Sequence, residues 1–443
     1  MNLRARFQWL LNRRKLILDG AAAFNLLQTA WRIMAAPITL ILVTQFLGAD
    51  EQGYYYVFAN VLALQVLLEA GVGFVFLRTV STNARHIKIV SGNIIIEKSV
   101  EGTLGPYIAF AGHWFLGIAT IVSLVTIPAG LLIFETRTAS DVSWRLPWLL
   151  VAVCNCLPLA IQPFILLSEA VVSRSRTYRA RFISALLGTL ITWVLLAFNF
   201  GLYSLAASAL VSFLVLMILI VIPLRKVHSL LYDRSRLNWR VFREFWSDQW
   251  RISLTWITGF LYWNSAPIIV FKLFGPAIAG HYGASLSMLN SLQQLSSSAL
   301  NSRTAVLASR MGHGEVREAR REFSVGLAFS LVIFSVALIA LAAFVGGNFF
   351  PSLTDRLLPL PMILLLGGFY FFNILFAALA LFARLRYNEP FLYFSLASNL
   401  LLPAGVFISA ATTHILEISI ISQVCIQLIL LPWAVKIYAS ASR

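Results

Sequence analysis

The chain has 443 residues, of which 59% are apolar and only 12% are charged. Soluble domains carry roughly 25% charged residues, so this composition excludes an ordinary soluble domain. The three cysteines, Cys154, Cys156 and Cys425, lie in apolar stretches and show neither a disulfide framework nor metal-ligand spacing. The net charge of +16 is compatible with nucleic-acid binding, and the positions of the basic residues decide that question.

Twelve apolar segments follow one another along the chain. A membrane-spanning helix needs about 20 apolar residues, and backbone groups inside lipid must be hydrogen-bonded within the segment, which favours helices. The segments cover residues 20–46, 54–77, 106–134, 146–172, 182–198, 202–224, 252–274, 281–302, 323–346, 358–382, 391–411 and 415–435. The sequence therefore predicts an all-α integral membrane protein with about twelve transmembrane helices.

The basic residues lie almost entirely on one side of these predicted helices. With the N-terminus in the cytoplasm, 29 of the 34 Lys and Arg residues fall in cytoplasmic segments. The outer turns hold Arg137, Arg145, Lys272 and Arg356, and Arg32 lies within the first span. This distribution follows the positive-inside rule, so the charge excess reports topology and argues against nucleic acid as a partner. Both termini are predicted to be cytoplasmic, and we expect no cleavable signal peptide.

A short motif recurs after the first and the seventh predicted helix. Its residues Gly48, Gly53 and Tyr55 match Gly275, Gly280 and Tyr282 at an offset of 227, and Arg78-Thr79 matches Arg303-Thr304 at an offset of 225. Six helices in each copy make the two copies parallel, as in parallel-repeat transporters. We therefore expect two six-helix lobes, residues 1–228 and 229–443, around a central cavity.

The sequence contains no catalytic or nucleotide-binding motif. It has no Gly-x₄-Gly-Lys-Ser/Thr loop, no His-Glu-x-x-His and no Gly-x-Ser-x-Gly. The six histidines are scattered, and none pairs with another His or Cys at ligand spacing. We therefore expect no enzymatic activity, no catalytic residues, no metal and no cofactor.

Polar residues recur on one face of several predicted spans. A mid-span arginine such as Arg32 costs about 2.5–3.5 kcal/mol on insertion scales and usually faces a cavity or a partner. We predict a polar, cationic cavity lined by spans 1, 2, 7 and 8, which suits an anionic ligand. The candidate substrate-binding residues are Asn25, Gln28, Arg32, Arg78, Arg251, Thr255, Gln294, Asn301 and Arg303, and the candidate ion-coupling residues are Glu69 and Glu169. The eighth span also carries a polar stripe that includes Ser287, Ser291, Ser297 and Ser298, which close helix packing explains equally well. Both carboxylates are alternatively partners for nearby arginines.

Several short segments resemble a known family. They are Leu47-Gly48 with Gly53-Tyr54, Leu68-Glu69-Ala70-Gly71-Val72-Gly73, Phe274-Gly275 with Gly280-His281-Tyr282, and Gly314-Glu315-Val316-Arg317-Glu318-Ala319-Arg320-Arg321. Together with the twelve-span plan, they resemble polysaccharide-biosynthesis flippases of the Wzx type, in the multidrug/oligosaccharidyl-lipid/polysaccharide (MOP) exporter superfamily.

This resemblance implies two lobes around a cavity that opens alternately to each side of the bacterial inner membrane. The implied cargo is an oligosaccharide linked to undecaprenyl pyrophosphate, moved to the outer leaflet during O-antigen and lipopolysaccharide biosynthesis. Membrane lipids and a polysaccharide polymerase machinery are the other implied partners.

Two alternative functions remain open at this point. A cation-coupled drug or solute antiporter of the same fold commonly carries acidic residues deep in its spans, whereas the deepest charge here is Arg32. A membrane glycan polymerase or ligase is expected to have a substantial outer loop, and the outer turns of this sequence are short. The cytoplasmic segment 79–105 is longer than a plain turn, and the sequence predicts no role for it.

Overall fold

The computed structural model describes residues 20–69, 71–90, 93–135, 142–237, 239–385 and 390–441. The basic N-terminal arm, Arg137, Arg386 and Arg443 therefore lie outside the described residues. Within the described ranges, ten helices are long and apolar enough to cross a membrane. The predicted all-α integral membrane class is confirmed.

In the first half of the chain, short turns and irregular helical segments separate the α-helices. The helices are α1 Gly20–Phe46, α2 Ala49–Leu62, α3 Leu64–Glu69, α4 Val72–Thr82, α5 Lys98–Phe134, α6 Arg145–Ala160, α7 Gln162–Leu167, α8 Arg174–Ala197, α9 Tyr203–Leu216 and α10 His228–Leu231. Two π-helical segments, Ser168–Val172 and Met217–Val221, continue α7 and α9. Short 3₁₀ segments cover Ala84–His86, Ile222–Val227 and Arg234–Arg236.

In the second half, the helices are longer and more regular. They are α11 Trp239–Phe274, α12 Pro276–Asn301, α13 Thr304–Gly312, α14 Val316–Gly346, α15 Pro351–Thr354, α16 Leu360–Arg384, α17 Leu392–Thr413 and α18 Leu416–Ala441.

Two of the twelve predicted spans are not among the ten membrane-length apolar helices. The predicted span 54–77 is divided into α2, α3 and α4, and α4 begins after Gly71, whose φ of 72° is left-handed and incompatible with a continuous helix. The predicted span 281–302 is the unbroken helix α12, whose 26 residues reach about 39 Å at 1.5 Å per residue. Serine and amide side chains lower its hydropathy without shortening it.

The contacts divide the chain into two compact units. Unit 1 comprises Met1–Ala35, Leu64–Leu131 and Ser143–Trp256, and unit 2 comprises Ala36–Ala63, Leu132–Val142 and Ile257–Arg443. The predicted lobes, 1–228 and 229–443, differ from these units because they followed chain order. Helices α1, α5 and α11 each contribute residues to both units. The two predicted lobes stay a prediction.

Residues 79–105 contain a β-hairpin that packs within unit 1. Strand β1, Ile87–Val90, pairs antiparallel with strand β2, Asn93–Ile96, and places Ile87 opposite Ile96. Both isoleucines are buried in the apolar core of unit 1. Glu101, in the first turn of α5, forms an ion pair with Arg236, whose Nη2 lies 3.3 Å from Glu101 Oε1. The hairpin is the one departure from the all-α plan among the described residues, and it is held by core packing.

The two copies of the repeated motif meet within unit 2. Helices α2 and α12 each begin one residue after the first glycine of the motif. A Cβ atom at Gly53 would lie 2.0 Å from the carbonyl oxygen of Pro276, and a Cβ atom at Gly280 would lie 3.1 Å from the carbonyl oxygen of Ala49. Each copy's second glycine therefore packs on the first residue of the other helix, so the two copies cross in an approximately twofold manner.

Candidate substrate-binding and ion-binding sites

The first predicted site residues lie on α1, beside the face that packs on α8 within unit 1. The ring centroids of Phe24 and Phe182 are 6.4 Å apart. Farther along, those of Trp31 and Trp193 are 5.6 Å apart. Successive helical residues are turned by about 100°, so Arg32 points to the side of this packed face and does not enter it.

Arg32 is exposed, and it makes no ion pair or hydrogen bond with the part of the chain that the structure describes. Asn25 is exposed and Gln28 is half-buried on the same side of α1. An unpaired guanidinium within a membrane span is costly unless it meets water or an anion. This face of α1 is therefore a cationic, hydrogen-bonding surface available to a ligand.

Glu69 lies at the break between α3 and α4. Its carboxylate lies beside the backbone of Gly73, in the first turn of α4. An acidic group there is stabilised by the partial positive charge of the helix N-terminus. The half-buried Glu69 therefore lies beside a helix N-terminus, and its predicted ion-coupling role stays a prediction.

Glu169 has its partners inside unit 1. It is buried in the π-helical segment Ser168–Val172, and Arg181 Nη2 lies 2.9 Å from its Oε2. Tyr178 Oη donates to its Oε1 at 3.1 Å. Glu169 therefore forms an ion pair with a nearby arginine, which is the alternative role that the sequence left open. The predicted ion-coupling role of Glu169 remains a prediction.

The remaining predicted residues of unit 1 are not gathered around Arg32 by any contact that the structure describes. Arg78 is exposed near the end of α4, and Thr255 is half-buried on α11. Arg251 lies in α11, and its side chain is outside what the structure describes.

The three predicted residues of unit 2 lie along the second half of α12 and just beyond it. Gln294 and Asn301 are exposed. Arg303 Nη1 lies 3.1 Å from Glu322 Oε2, and Arg310 Nη2 lies 3.4 Å from the other oxygen of the same carboxylate. Arg303 and Arg310 therefore share the carboxylate of Glu322. This ion pair uses some of the hydrogen-bond donors of Arg303.

Sequence reasoning missed a buried cluster of amides and phenols in unit 2. Tyr262 Oη donates to Asn373 Oδ1, and Gln427 Nε2 donates to Tyr262 Oη at 3.1 Å. One turn along α18, Gln423 Nε2 donates to Tyr282 Oη at 3.3 Å. Two glutamines four residues apart on an apolar helix were the available signal. The cluster ties α11, α12, α16 and α18 together through neutral hydrogen bonds.

Sequence reasoning also missed a cavity of about 410 Å³ between α12, α14 and α16 of unit 2. Its polar lining residues are Ser297, Asn301, Thr304, Ser330 and Arg384, and its other lining residues are apolar. Of the predicted site residues, Asn301 lines it. The lining comes from helices far apart in sequence, so no local pattern reveals the cavity.

The structure contains no group of three or more His, Cys, Asp or Glu residues placed to hold a metal ion, within the residues that it describes.

Comparisons with known proteins bear on the family and the fold. A sequence family described as "polysaccharide biosynthesis protein" matches residues 149–350. No protein of curated function matches this sequence.

Solved transporter structures match nearly the whole chain. An inward-facing multidrug resistance MATE family transporter of the MOP superfamily has a TM-score of 0.61 and 12% identity, over 93% of this chain and 95% of that chain. An outward-facing transporter of the same description has a TM-score of 0.54 and 12% identity, over 96% and 97%. The eukaryotic MATE transporter AtDTX14 has a TM-score of 0.54 and 18% identity, over 98% of both chains.

These similarities confirm the fold that the resemblance implied. The chain is a multi-pass membrane protein with the fold of MOP-superfamily transporters, and part of it matches a polysaccharide-biosynthesis family.

Proposed function

We propose that this chain, which has a transporter fold, is a flippase for an oligosaccharide linked to undecaprenyl pyrophosphate. It moves this cargo by alternating access from the cytoplasmic to the outer leaflet of the bacterial inner membrane. The family match over residues 149–350 supports a role in polysaccharide biosynthesis, and the transporter fold supports translocation over catalysis. In this proposal both chain termini are cytoplasmic.

The observation that carries the proposal is the exposed, unpaired guanidinium of Arg32 on α1. A guanidinium presents several N–H donors in a planar fork that matches two phosphate oxygens. The pyrophosphate is the most highly charged group of the proposed cargo. We therefore assign its recognition to Arg32.

The amides beside Arg32 suit the rest of the cargo. Asn25 and Gln28 each offer a carbonyl acceptor and an NH₂ donor on the same side of α1. Sugar hydroxyls need both kinds of partner. We propose that these two residues bind the first sugars next to the pyrophosphate, and that Arg78, Arg251, Thr255, Gln294, Asn301 and Arg303 contribute secondary contacts.

Leaflet translocation of a fluorescent undecaprenyl-pyrophosphate sugar in proteoliposomes tests the proposal directly. Loss of one charge-assisted contact costs about 1.5–3 kcal/mol, so Arg32→Ala should slow translocation by about 10- to 100-fold. Arg32→Lys keeps the charge but lacks the planar fork, so its translocation rate should lie between those of the wild type and Arg32→Ala. The matched control is Arg225→Ala, which removes an exposed arginine from a 3₁₀ segment outside the central part of a span.

A second cargo identifies the group that Arg32 recognises. The same sugar on an uncharged polyprenyl carrier should move slowly, and Arg32→Ala should not slow it further. Equal translocation of the pyrophosphate cargo by wild type and Arg32→Ala contradicts the assignment of Arg32. Absence of wild-type translocation, with several glycans and with proton and sodium gradients, contradicts the flippase proposal.

A cation-coupled drug or solute antiporter is the second candidate, and Glu69 is the observation that favours it. A half-buried carboxylate at a helix break within a predicted span is a suitable cation or proton site. This candidate predicts gradient-driven efflux of a cationic dye that Glu69→Gln abolishes. The flippase proposal predicts no such efflux.

A further inference from the structure

The cavity between α12, α14 and α16 has the size of a ligand site. Its volume of about 410 Å³ falls within the range of roughly 300–1,000 Å³ that is usual for small-molecule pockets. All its lining residues belong to unit 2, so its geometry is defined by that unit alone.

The cavity has a charged and an amide side chain at one end, and apolar side chains of α16 line its length. Arg384, in the last turn of α16, and Asn301, the last residue of α12, are both exposed at the polar end. Leu381 and Ile374 continue the lining along α16. Ten residues separate Arg384 from Ile374, which is about 15 Å of helix. The cavity therefore matches an amphiphile with an anionic head.

Ser330 is an independent sign of a ligand in this cavity. It is completely buried in α14, it lines the cavity, and its hydroxyl has no hydrogen-bond partner among the described residues. Serines in helices commonly donate to the carbonyl four residues earlier, as Ser296 and Ser324 do at 2.7 and 2.9 Å. A buried hydroxyl without a partner costs about 1–3 kcal/mol, so a polar ligand atom at this depth would be stabilised.

We propose that this cavity binds a phosphate-headed lipid of the bilayer. The phosphate lies at Arg384 and Asn301, the hydrocarbon chain follows Leu381 and Ile374, and a polar atom of the linkage accepts a hydrogen bond from Ser330. The charged end of the cavity is at the membrane side predicted to be cytoplasmic, where the lipid headgroups lie. Free phosphate has the same charged group as the lipid head, but it makes no contact with the apolar lining residues.

This inference shares Asn301 with the secondary cargo contacts proposed above, and its test involves no transport. Native mass spectrometry of the purified full-length protein in detergent measures binding of three probes. They are dioleoyl phosphatidic acid, which has chain and phosphate, dioleoylglycerol, which lacks the phosphate, and inorganic phosphate, which lacks the chain. We expect phosphatidic acid to bind at least about tenfold more tightly than dioleoylglycerol, and inorganic phosphate not to compete at millimolar concentration.

Two variants locate the bound lipid. Ala377 lines the cavity from an exposed position, so Ala377→Phe fills it without overpacking the core. Arg384→Gln removes the charge at its polar end. Each should weaken phosphatidic acid binding by about tenfold, equivalent to about 1.4 kcal/mol. Ser330→Ala should weaken it by a smaller factor.

Matched controls use exposed residues that do not line the cavity. Leu364→Phe adds a ring to the same helix, and Arg317→Gln removes a comparable charge from α14. Both should bind phosphatidic acid as the wild type does, and these controls, Ala377→Phe and Arg384→Gln should keep the wild-type melting temperature.

Three results would overturn the proposal. Equal phosphatidic acid binding by wild type and Ala377→Phe would place the lipid elsewhere. Equal binding of dioleoylglycerol and phosphatidic acid would show that the cavity does not recognise the phosphate. Binding of inorganic phosphate that Arg384→Gln abolishes and Ala377→Phe leaves intact would show a site for a free anion.

Discussion

The two copies of the repeat start alike and continue differently. Helices α2 and α12 each begin one residue after a glycine, yet the first copy breaks before α4 while α12 runs unbroken to Asn301. From Tyr55 to Arg78 the first copy advances 23 residues, and from Tyr282 to Arg303 the second advances 21. The change of offset from 227 to 225 therefore coincides with the interruption in the first copy.

The break changes what the helix presents within the membrane. At the offset of 227, Glu69 matches Ser296 and Gly71 matches Ser298. Ser296 is buried and donates to the carbonyl of Leu292 in its own helix. The carboxylate of Glu69 lies instead beside the backbone of Gly73, in the first turn of a new helix. Two additional residues and one left-handed glycine thus place a carboxylate where the other copy has an internally bonded hydroxyl.

The largest expected effect tests the feature that the two copies share. Gly53→Ala places a Cβ atom against the backbone carbonyl of Pro276, which cannot move aside as a side chain does. Overpacking costs about 1–3 kcal/mol and sometimes more, so we expect loss of folded protein or a large fall in melting temperature. Gly280→Ala, whose nearest backbone atom lies 2.9 Å away, should cost less.

The measurements for this pair are thermal unfolding and size-exclusion chromatography in detergent. Gly102→Ala is the control, because a Cβ atom there meets nothing within 4 Å. It should leave stability unchanged or slightly raised. Wild-type stability of Gly53→Ala would show that the crossing is looser than the structure indicates.

The intermediate effect tests the feature that the copies do not share. Gly71 has a φ of 72°, where an alanine costs about 1–2 kcal/mol. Gly71→Ala should lower the free energy of unfolding by this amount, whereas Ser298→Ala, in the continuous α12, should change it by less than about 0.5 kcal/mol. Denaturant titration of both variants under the same conditions measures the difference. Equal effects would mean that the left-handed turn is not required for the break.

The smallest expected change in stability comes from the arginines at the ends of the two copies, Arg78 and Arg303. Arg303 is paired with Glu322, whereas no ion pair of Arg78 is found among the described residues. Surface pairs contribute about 0.2–1 kcal/mol, so Arg303→Gln should destabilise by about 0.5 kcal/mol at low salt and less at high salt. Arg78→Gln should leave stability unchanged at both salt concentrations. A salt-independent loss in either variant would point to packing in place of charge.

Composition and charge asymmetry were sufficient to predict the membrane class and most of the helices. Long apolar runs leave the backbone few choices in lipid, so α14, α16 and α18 lie close to their predicted positions. The matching glycines also predicted correctly that the chain repeats a local structure. What the pattern did not show was that the copies contact each other, because periodicity describes one helix at a time.

The sites were less predictable than the helices. Helical spacing correctly placed Asn25, Gln28 and Arg32 on one side of α1, since that geometry is local. The partners of Glu169 and Arg303 depend on tertiary packing, and the structure alone identified Arg181 and Glu322. The β-hairpin was also missed, because hydropathy does not separate a short buried strand from a helical turn.

The crossing of α2 and α12 also constrains how this sequence can change. Gly53 and Gly280 each face backbone atoms of the opposite helix, and every residue type carries the same backbone. A larger residue at either position therefore has no compensating substitution across the contact. Suppressor mutations of a Gly53 variant should map to positions that tilt or shift a whole helix, and the two glycines should stay invariant without covarying with a partner.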